Sequence, residues 1–345
     1  MMSTAAQKLV LSNGRTRSSP PSCRQRRPSP RSPSPPTEPL DRRQTYGLVG
    51  NGFDGPEKKL GNQFNYWTVL PNGTVDLTRG ETMKISTPKV IPMAKNASHP
   101  AIIVEPRRTV LCLVDYQNLF LHPSITPQAE AGRAAASGPA VDTIKAFRNS
   151  GMKVAWVNWG LTKYDLSMMP PAFMAGFSGG TMQPDKSFGS EMGMVKDSPS
   201  LSPSSRADKR ADNSTNMVDA GQMLMRDTWN ARPWGPLGPM MDEGLAAGTD
   251  VMFNKNRLSG LWGAQTPFGL WLQENQITTI FFGGVNADQC VWSTLVDAYF
   301  KGYDTVYVDD LSATISPDYT TQMTRYNADG YGFLGNSTEI IAALN

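Results

Sequence analysis

Three side chains suited to acid–base and nucleophilic chemistry each stand at the end of an apolar segment. Asp115 follows "TVLCLV", Lys255 follows "DVMFN", and Cys290 comes shortly after "TTIFFGG". A carboxylate can accept and return a proton, an ammonium group stabilises nearby negative charge, and a thiolate is a strong nucleophile. If the three meet, the sequence predicts a hydrolase in which Cys290 attacks a carbonyl carbon.

The position of Cys290 gives its thiol a physical reason to react. The sequence predicts that a helix begins there, and the positive end of a helix dipole stabilises a thiolate and lowers its pKa. Lys255 would add to this effect. Cys112 lies in the middle of an apolar segment and is expected to be a core residue.

Asp115 is the better candidate for the base than either histidine. His99 precedes the apolar segments, and His122 follows the first of them in a predicted loop. Two histidines and three widely spaced cysteines supply zinc and iron ligands poorly. We therefore expect no metal and no cofactor, and a reducing compartment rather than a disulfide framework.

The elements that would position these residues alternate between strand and helix patterns. Continuous apolar strands alternating with amphipathic helices predict a three-layer α/β/α sandwich around a mostly parallel sheet. In such a sheet, ligands bind beyond the carboxyl ends of the strands. The predicted strands are 109–114, 153–157, 250–253, 278–284 and 304–308, and the predicted helices lie within 140–151, 266–276 and 290–303.

Composition divides the chain into three parts. Residues 1–40 are rich in Pro, Ser and Arg, which predicts a disordered tail, and 41–107 predict an irregular extension. A hydrolase domain follows over 108–345, with a long insertion at about 160–248. We expect that insertion to be either self-packed loops or a lid and pocket wall, and the sequence favours neither.

The charge of the chain is concentrated in the tail. The formal net charge is +3, but beyond residue 43 acidic residues outnumber basic ones. This balance predicts no nucleic-acid surface on the domain, and no apolar run is long enough to cross a membrane. We expect a cytoplasmic protein. A mitochondrial location is less favoured, because the prolines of the tail would break a presequence helix.

Three motifs resemble the isochorismatase-like cysteine hydrolases: "VDYQN" with Asp115, "FNKNRLSGLWG" with Lys255, and "FGGVNADQCVWSTLVDAYFKGY" with Cys290. The resemblance covers roughly residues 108–343. It implies a catalytic triad of Asp115, Lys255 and Cys290, and a cis peptide at Val285–Asn286. An oxyanion hole would then be formed by the N–H groups of Asn286 and Cys290. It also implies a homo-oligomer, as a dimer or tetramer.

Two departures from the family narrow the expected reaction. The metal-binding members carry histidines after the second strand, where this chain reads "WVNWGLTKYD". Members that cleave a vinyl ether often lack the cysteine, which this chain retains. We therefore expect a hydrolase of a small amide, ureide or related acyl substrate that acts through a thioester on Cys290. The candidate substrate contacts are Gln117, Asn158, Trp159 and Trp262, with Phe173 and Trp292 as further candidate walls.

Two alternatives stay open. The chain could be an isochorismatase-type vinyl ether hydrolase that retains an idle cysteine. It could also be a non-catalytic interaction module that works through the basic N-terminal tail.

Overall fold

The computed structural model describes residues 57–80, 85–93, 99–197 and 216–345. The predicted disordered tail, 1–40, lies outside the described residues. None of the helices within the described ranges is long and apolar enough to span a membrane.

The described residues contain thirteen strands and ten α-helices. The strands are β1 (Lys58–Gly61), β2 (Tyr66–Val69), β3 (Val75–Asp76), β4 (Lys89–Pro92), β5 (Ala101–Val104), β6 (Thr109–Val114), β7 (Lys153–Trp159), β8 (Met194–Lys196), β9 (Met217–Asp219), β10 (Asp250–Lys255), β11 (Thr279–Val285), β12 (Asp304–Ala313) and β13 (Phe333–Gly335). The helices are α1 (Asn118–Leu121), α2 (Glu130–Ser137), α3 (Pro139–Asn149), α4 (Lys163–Ser167), α5 (Pro171–Gly176), α6 (Leu237–Ala247), α7 (Pro267–Glu274), α8 (Trp292–Phe300), α9 (Asp318–Tyr331) and α10 (Ser337–Leu344).

A six-stranded sheet with the order β10-β7-β6-β11-β12-β13 forms the centre of the domain. Each of its five strand pairings is parallel, so the predicted parallel sheet is confirmed. All residues of β6 and β11 are buried, which explains their unbroken apolar sequences. The short strand β13 carries no such signal and was not predicted.

Helices cover both faces of this sheet, which makes the predicted three layers. On one face, α3, α6 and α10 pack on the sheet through side chains such as Phe147, Leu237 and Ile340. On the other face, α7 and α8 contribute Phe268 and Leu295. The sheet therefore has a hydrophobic core on each side, and its strand ends are the place where polar side chains can gather.

The extension before β6 was expected to be irregular, and its described part holds five short strands. They form a second sheet with the order β1-β2-β3-β5-β4. A buried ion pair joins this part to the central sheet: the Arg79 guanidinium contacts both oxygens of Asp304, at 2.5 and 2.7 Å. The same carboxylate accepts hydrogen bonds from the Trp67 indole and the Thr279 hydroxyl.

The residues between β7 and β10 leave the alternating strand–helix pattern. Their described part contains α4, α5 and the two-stranded ribbon β8–β9, and then α6, which returns the chain to the central sheet. Phe173, Phe177 and Phe188 from this insertion pack against the second core. The insertion therefore adds apolar side chains on the same face as α7 and α8.

The Arg79–Asp304 pair makes the stability of the domain depend on one carboxylate. We expect Asp304→Asn to lower the free energy of unfolding by about 3 to 5 kcal/mol, because it leaves the buried guanidinium without its counter-charge. Urea unfolding followed by circular dichroism measures the difference.

The matched control is Asp142→Asn, which removes an exposed carboxylate from its pair with Lys145. That change should cost about 0.5 kcal/mol or less. Equal losses for the two variants would contradict a special role of the buried pair.

Candidate active site

Asp115 and Lys255 form an ion pair at the carboxyl ends of two strands. Asp115 follows β6, and Lys255 is the last residue of β10. The Lys255 Nζ lies 2.9 Å from Asp115 Oδ2, and both side chains are buried. The backbone of Asp115 adopts a left-handed conformation, with φ 54°. Such a conformation is uncommon outside glycine but tolerated by aspartate, and it points to a position fixed by its surroundings.

Trp159, the last residue of β7, contacts both members of this pair. It is the ladder neighbour of Lys255, so the two side chains lie on the same face. The Lys255 ammonium is 3.9 Å from the centre of the Trp159 indole, a cation–π contact. The main-chain N–H of Trp159 donates to Asp115 Oδ1 at 3.0 Å. Trp159 therefore holds both the cation and the anion in place.

Gln117 fixes Trp159 from the other side. Its amide oxygen accepts from the Trp159 N–H at 3.0 Å, and its amide nitrogen donates to the carbonyl oxygens of Trp159 and Ala231. The Gln117 side chain is fully buried, and these hydrogen bonds all join it to main-chain groups. In this structure the Gln117 amide positions Trp159.

Cys290 reaches the ion pair from the loop after β11. It lies in a five-residue π-helical turn, Ala287–Val291, that leads directly into α8. Its thiol and the Asp115 carboxylate are close enough to shift each other's pKa. The peptide bond between Val285 and Asn286 is cis. Gly284 permits a close approach of β11 to β6, because a Cβ there would lie 2.1 Å from the Val114 carbonyl oxygen.

Burial changes the acidity expected for the Cys290 thiol. Its pKa is raised from an ordinary 9.0 to about 12, first by burial and then by the Asp115 charge, while Lys255 lowers it. The expectation of a lowered pKa is therefore wrong, because desolvation outweighs the helix dipole and Lys255. The pKa of the Asp115 carboxyl is also raised by burial, and Lys255 again opposes the shift.

The Trp159 indole also interacts with the nucleophile. Its N–H faces the Cys290 sulfur and lowers the pKa of the thiol, in the same direction as Lys255. This N–H makes no hydrogen bond of good geometry within the described residues. Trp159 thus touches all three polar groups of the site through three different parts of its structure.

Aromatic side chains of the insertion cover this cluster. The rings of Phe177 and Phe188 lie 5.2 and 5.0 Å from the Trp159 ring, and 4.1 Å from each other. Only 4% of Cys290 is exposed. These contacts are compatible with both expectations for the insertion, because Phe177 and Phe188 pack on each other as well as on Trp159.

A small cavity of about 190 Å³ reaches the Lys255 side of the cluster. Arg226, Asn256, Gly260 and Trp262 are among the residues that line it. The Gly260 N–H donates to the Thr294 hydroxyl, which in turn donates to the Cys290 carbonyl oxygen. Two hydrogen bonds therefore connect the cavity wall to the main-chain carbonyl group of Cys290.

The other residues predicted to contact substrate, Asn158, Trp262 and Trp292, have different surroundings. Asn158 is buried, and its side-chain oxygen accepts no hydrogen bond from the described residues. Trp262 is half exposed, stacks under the Arg257 guanidinium and donates to Asn256. Trp292 stacks on Tyr331, between α8 and α9. Their roles toward a substrate stay predictions.

His122 occupies a different place from the one expected of a loop histidine. It is buried and packs edge-on against Trp229, away from the Asp115–Lys255 pair. Within the described ranges, no cluster of three or more His, Cys, Asp or Glu side chains is arranged to bind a metal ion.

Two features of the site carried weak signals in the sequence. Phe177 ends the Met- and Pro-rich segment "MMPPAFMAGF", for which self-packed loops and a pocket wall were equally expected, whereas nothing distinguished Phe188. Arg257 lies within the motif "FNKNRLSGLWG", and the sequence alone assigned it no role. It ties that motif to the insertion by contacting the Met168 carbonyl oxygen, the Met169 sulfur and the Phe173 ring.

Comparison with known proteins agrees with the fold. Residues 205–334 match the family model of the isochorismatase domain. A cysteine hydrolase from Pseudomonas syringae pv. phaseolicola superposes with a TM-score of 0.50 at 17% identity, over 75% of this chain and 98% of that chain. A nicotinamidase from Bacillus subtilis gives 0.45 at 19% identity, over 66% and 99% of the two chains. An N-carbamoylsarcosine amidase from Thermoplasma acidophilum gives 0.37 at 23%, over 67% and 96%.

Residues 205–334 are similar to the isochorismatase domain, and they include the motifs that contain Lys255 and Cys290. This similarity confirms the resemblance found in those two motifs, and the α/β architecture agrees with it.

The raised pKa of Cys290 makes its alkylation depend on pH in a defined way. A higher pKa means less thiolate at any given pH, so iodoacetamide should label Cys290 slowly at neutral pH. The rate should still be rising above pH 9, as expected for a thiol with a pKa of about 12. Peptide mass spectrometry of the labelled protein measures the rate at Cys290.

The urea-unfolded protein is the control, since the pKa of its thiols should lie near the ordinary value of 9.0. A labelling rate in the folded protein that levels off below that value would contradict the assignment.

Trp159→Phe should separate the effect of the indole N–H from that of the ring. The variant keeps an aromatic face for Lys255 but loses the N–H that favours the Cys290 thiolate. We expect alkylation of Cys290 to slow by several-fold at a fixed pH, the loss due to one weak hydrogen bond. Phe177→Leu changes a ring that contacts Trp159 and leaves the N–H in place, so it should not slow alkylation. Equal slowing in both variants would contradict the role of the N–H.

Proposed function

We propose that this protein is a cysteine-dependent hydrolase of a small amide, ureide or related acyl compound, with Cys290 as the nucleophile. The observation that carries the proposal is the meeting of Asp115, Lys255 and Cys290 in one buried cluster. The three residues come from three distant parts of the chain, and each has a contact with at least one of the others. A buried acid, cation and thiol in one cluster are typical of a nucleophilic active site.

The first half of the proposed reaction forms a thioester. As the Cys290 sulfur attacks the substrate carbonyl carbon, the thiol proton moves to the neighbouring Asp115 carboxylate. The carbonyl oxygen becomes an oxyanion, which the N–H groups of Asn286 and Cys290 would stabilise. Asp115 then gives the proton to the leaving nitrogen, and the C–N bond breaks.

The second half returns the enzyme to its starting state. Asp115 takes a proton from a water molecule, whose oxygen attacks the thioester carbonyl. The C–S bond breaks, the acid product leaves, and the sulfur recovers its proton. The Lys255 ammonium lowers the pKa of both Asp115 and Cys290.

The raised pKa values fit this sequence of steps. In the free enzyme the thiol holds its proton, so the nucleophile forms only when a carbonyl is in place to be attacked. Asp115 is a stronger base than an ordinary carboxylate, because burial raises its pKa. Protonation of Asp115 would remove that base, so we expect the acid limb of kcat/KM at a higher pH than an ordinary aspartate would give.

The substrate class rests on the cavity and on the relatives. The cavity of about 190 Å³ beside Lys255 has room for a small molecule, and the Arg226 guanidinium on its wall offers a partner for a polar or acidic group. The nicotinamidase and the N-carbamoylsarcosine amidase named above act on C–N bonds by their names. C–N bond hydrolysis is therefore the reaction that we put first.

Cys290→Ala should abolish turnover while leaving the fold intact. We expect hydrolysis of a panel of small carboxamides and ureas to fall by at least about a thousandfold, because the covalent step is lost. Ammonia release measures the activity, and circular dichroism confirms the fold. Cys112→Ala is the matched control, since it removes a buried thiol from β6 and should retain turnover.

Two results would favour the alternatives. Consumption of isochorismate at the wild-type rate by Cys290→Ala would identify a vinyl ether hydrolase with an idle cysteine. A well-folded wild-type protein that consumes neither isochorismate nor any member of the panel would favour an interaction module.

A further inference from the structure

A second cavity, here called the α6 pocket, lies next to the first turn of helix α6. Its volume is about 330 Å³, and its walls include His122, Asp197, Trp229, Arg232, Trp234 and Gly238. None of Asp115, Lys255 and Cys290 lines it. The walls come from the loop after β6 and from the insertion, so the α6 pocket is separate from the candidate active site.

Two buried N–H donors on the wall of the α6 pocket lack an acceptor. His122 Nδ1 accepts a hydrogen bond from the Ser124 N–H, so Nε2 carries the proton of the neutral ring. Burial lowers the pKa of His122, although Asp197 opposes the shift, and this keeps the ring neutral. Trp234 Nε1 has no hydrogen-bond partner among the described residues, and His122 Nε2 has only a long contact with Asp197 Oδ1.

Burying these two donors lowers the stability of the fold unless an acceptor binds them. The exposed fractions of His122 and Trp234 are 2% and 3%. A buried polar group without a partner costs roughly 1 to 3 kcal/mol. The Gly238 N–H lies in the first turn of α6, where main-chain donors have no acceptor within the helix. The α6 pocket therefore presents several donors to whatever occupies it.

Carboxylates on the same wall set the rest of the chemistry. Asp197 Oδ1 lies 3.5 Å from His122 Nε2, too long for a good hydrogen bond. Asp242 is paired with Arg232 at 2.7 Å. Two acids and one guanidinium leave the pocket with excess negative charge, which disfavours a simple anion. A ligand must therefore offer an acceptor oxygen to the N–H donors and a hydrogen-bond donor or positive charge to Asp197.

We propose that the α6 pocket is a second binding site, for a small molecule that carries a carbonyl or carboxylate oxygen beside an N–H or ammonium group. The oxygen accepts from His122 Nε2 and Trp234 Nε1, and the nitrogen donates to Asp197. An uncharged carboxamide and a zwitterionic amino acid share this chemistry. The rings of Trp229 and Trp234 provide the apolar part of the wall.

The site gives the insertion a role beyond covering the active site. Of the wall residues named above, only His122 precedes it. Gln117 also joins the two places, since its amide binds both Trp159 at the candidate active site and Ala231 beside the α6 pocket.

Fluorine NMR of the full chain labelled with 5-fluorotryptophan tests the proposal. Trp234→Phe assigns the signal of Trp234 among the eight tryptophans. The probes are acetamide, glycine and sodium acetate, titrated into the millimolar range where molecules of this size bind. The Cys290→Ala protein is used, so that a failure of the proposed reaction has no influence on the result. We expect a saturable shift of the Trp234 signal with acetamide, glycine or both, and none with acetate.

Three variants distinguish the α6 pocket from other sites. His122→Phe should weaken binding about tenfold, which corresponds to one hydrogen bond to a buried donor. His99→Phe, the same change at the other histidine, should leave the affinity unchanged. Asp197→Asn removes a charge without a change of volume and should weaken glycine more than acetamide.

Binding of acetamide alone or glycine alone supports the proposal and identifies which of the two sources fits. Binding of acetate as tightly as the other probes would overturn it, because acetate has no group for Asp197. The absence of a saturable shift with every probe, or equal affinities in His122→Phe and His99→Phe, would also overturn it.

Discussion

The buried ion pair between Asp115 and Lys255 is the interaction on which the candidate active site depends. Two charges removed from water lose several kcal/mol of solvation each, and good geometry is needed to recover it. Here the recovery comes from their 2.9 Å contact, from the Trp159 ring under the ammonium and from the Trp159 N–H on the carboxylate. Gln117 then fixes Trp159. The neighbours of the pair are therefore as constrained as the pair itself.

The same pair explains why the thiol is protonated at rest and still suited to attack. Burial raises the pKa of both Asp115 and Cys290, and the nearby ammonium opposes both shifts. A single cation thus acts on the proton donor and on the proton acceptor. The Cys290 thiol lies beside the carboxylate that would take its proton, so the transfer needs no long movement.

Much of the central sheet could be predicted from the sequence, because buried parallel strands are continuous apolar runs. The first residues of β6 and β12 are the ones expected, and β7 and β10 each run two residues beyond the expected end. Asp115, Lys255 and Cys290 followed from that pattern, since parallel strands place their carboxyl ends at one edge. The strand β13 was not predicted, because three residues are too few to show a hydrophobic periodicity.

The electrostatics of the site could not be predicted in the same way. The sign of the Cys290 pKa shift depends on how completely other segments bury the thiol, and Phe177 and Phe188 come from a region whose sequence resembles loops. The role of Trp159 is a tertiary property too, because its ring, its indole N–H and its main-chain N–H each find a different partner. A tryptophan at a strand end indicates none of these contacts by itself.

The order of the central strands has a consequence for how the domain folds. β6 and β11 are hydrogen-bonded neighbours, yet they are formed by residues 109–114 and 279–285. Contacts between residues so far apart in sequence require the closure of long loops, and proteins rich in such contacts fold slowly. Cys290 joins Asp115 only when these two strands align, so the Asp115–Lys255–Cys290 cluster should appear late in refolding, together with native sheet formation.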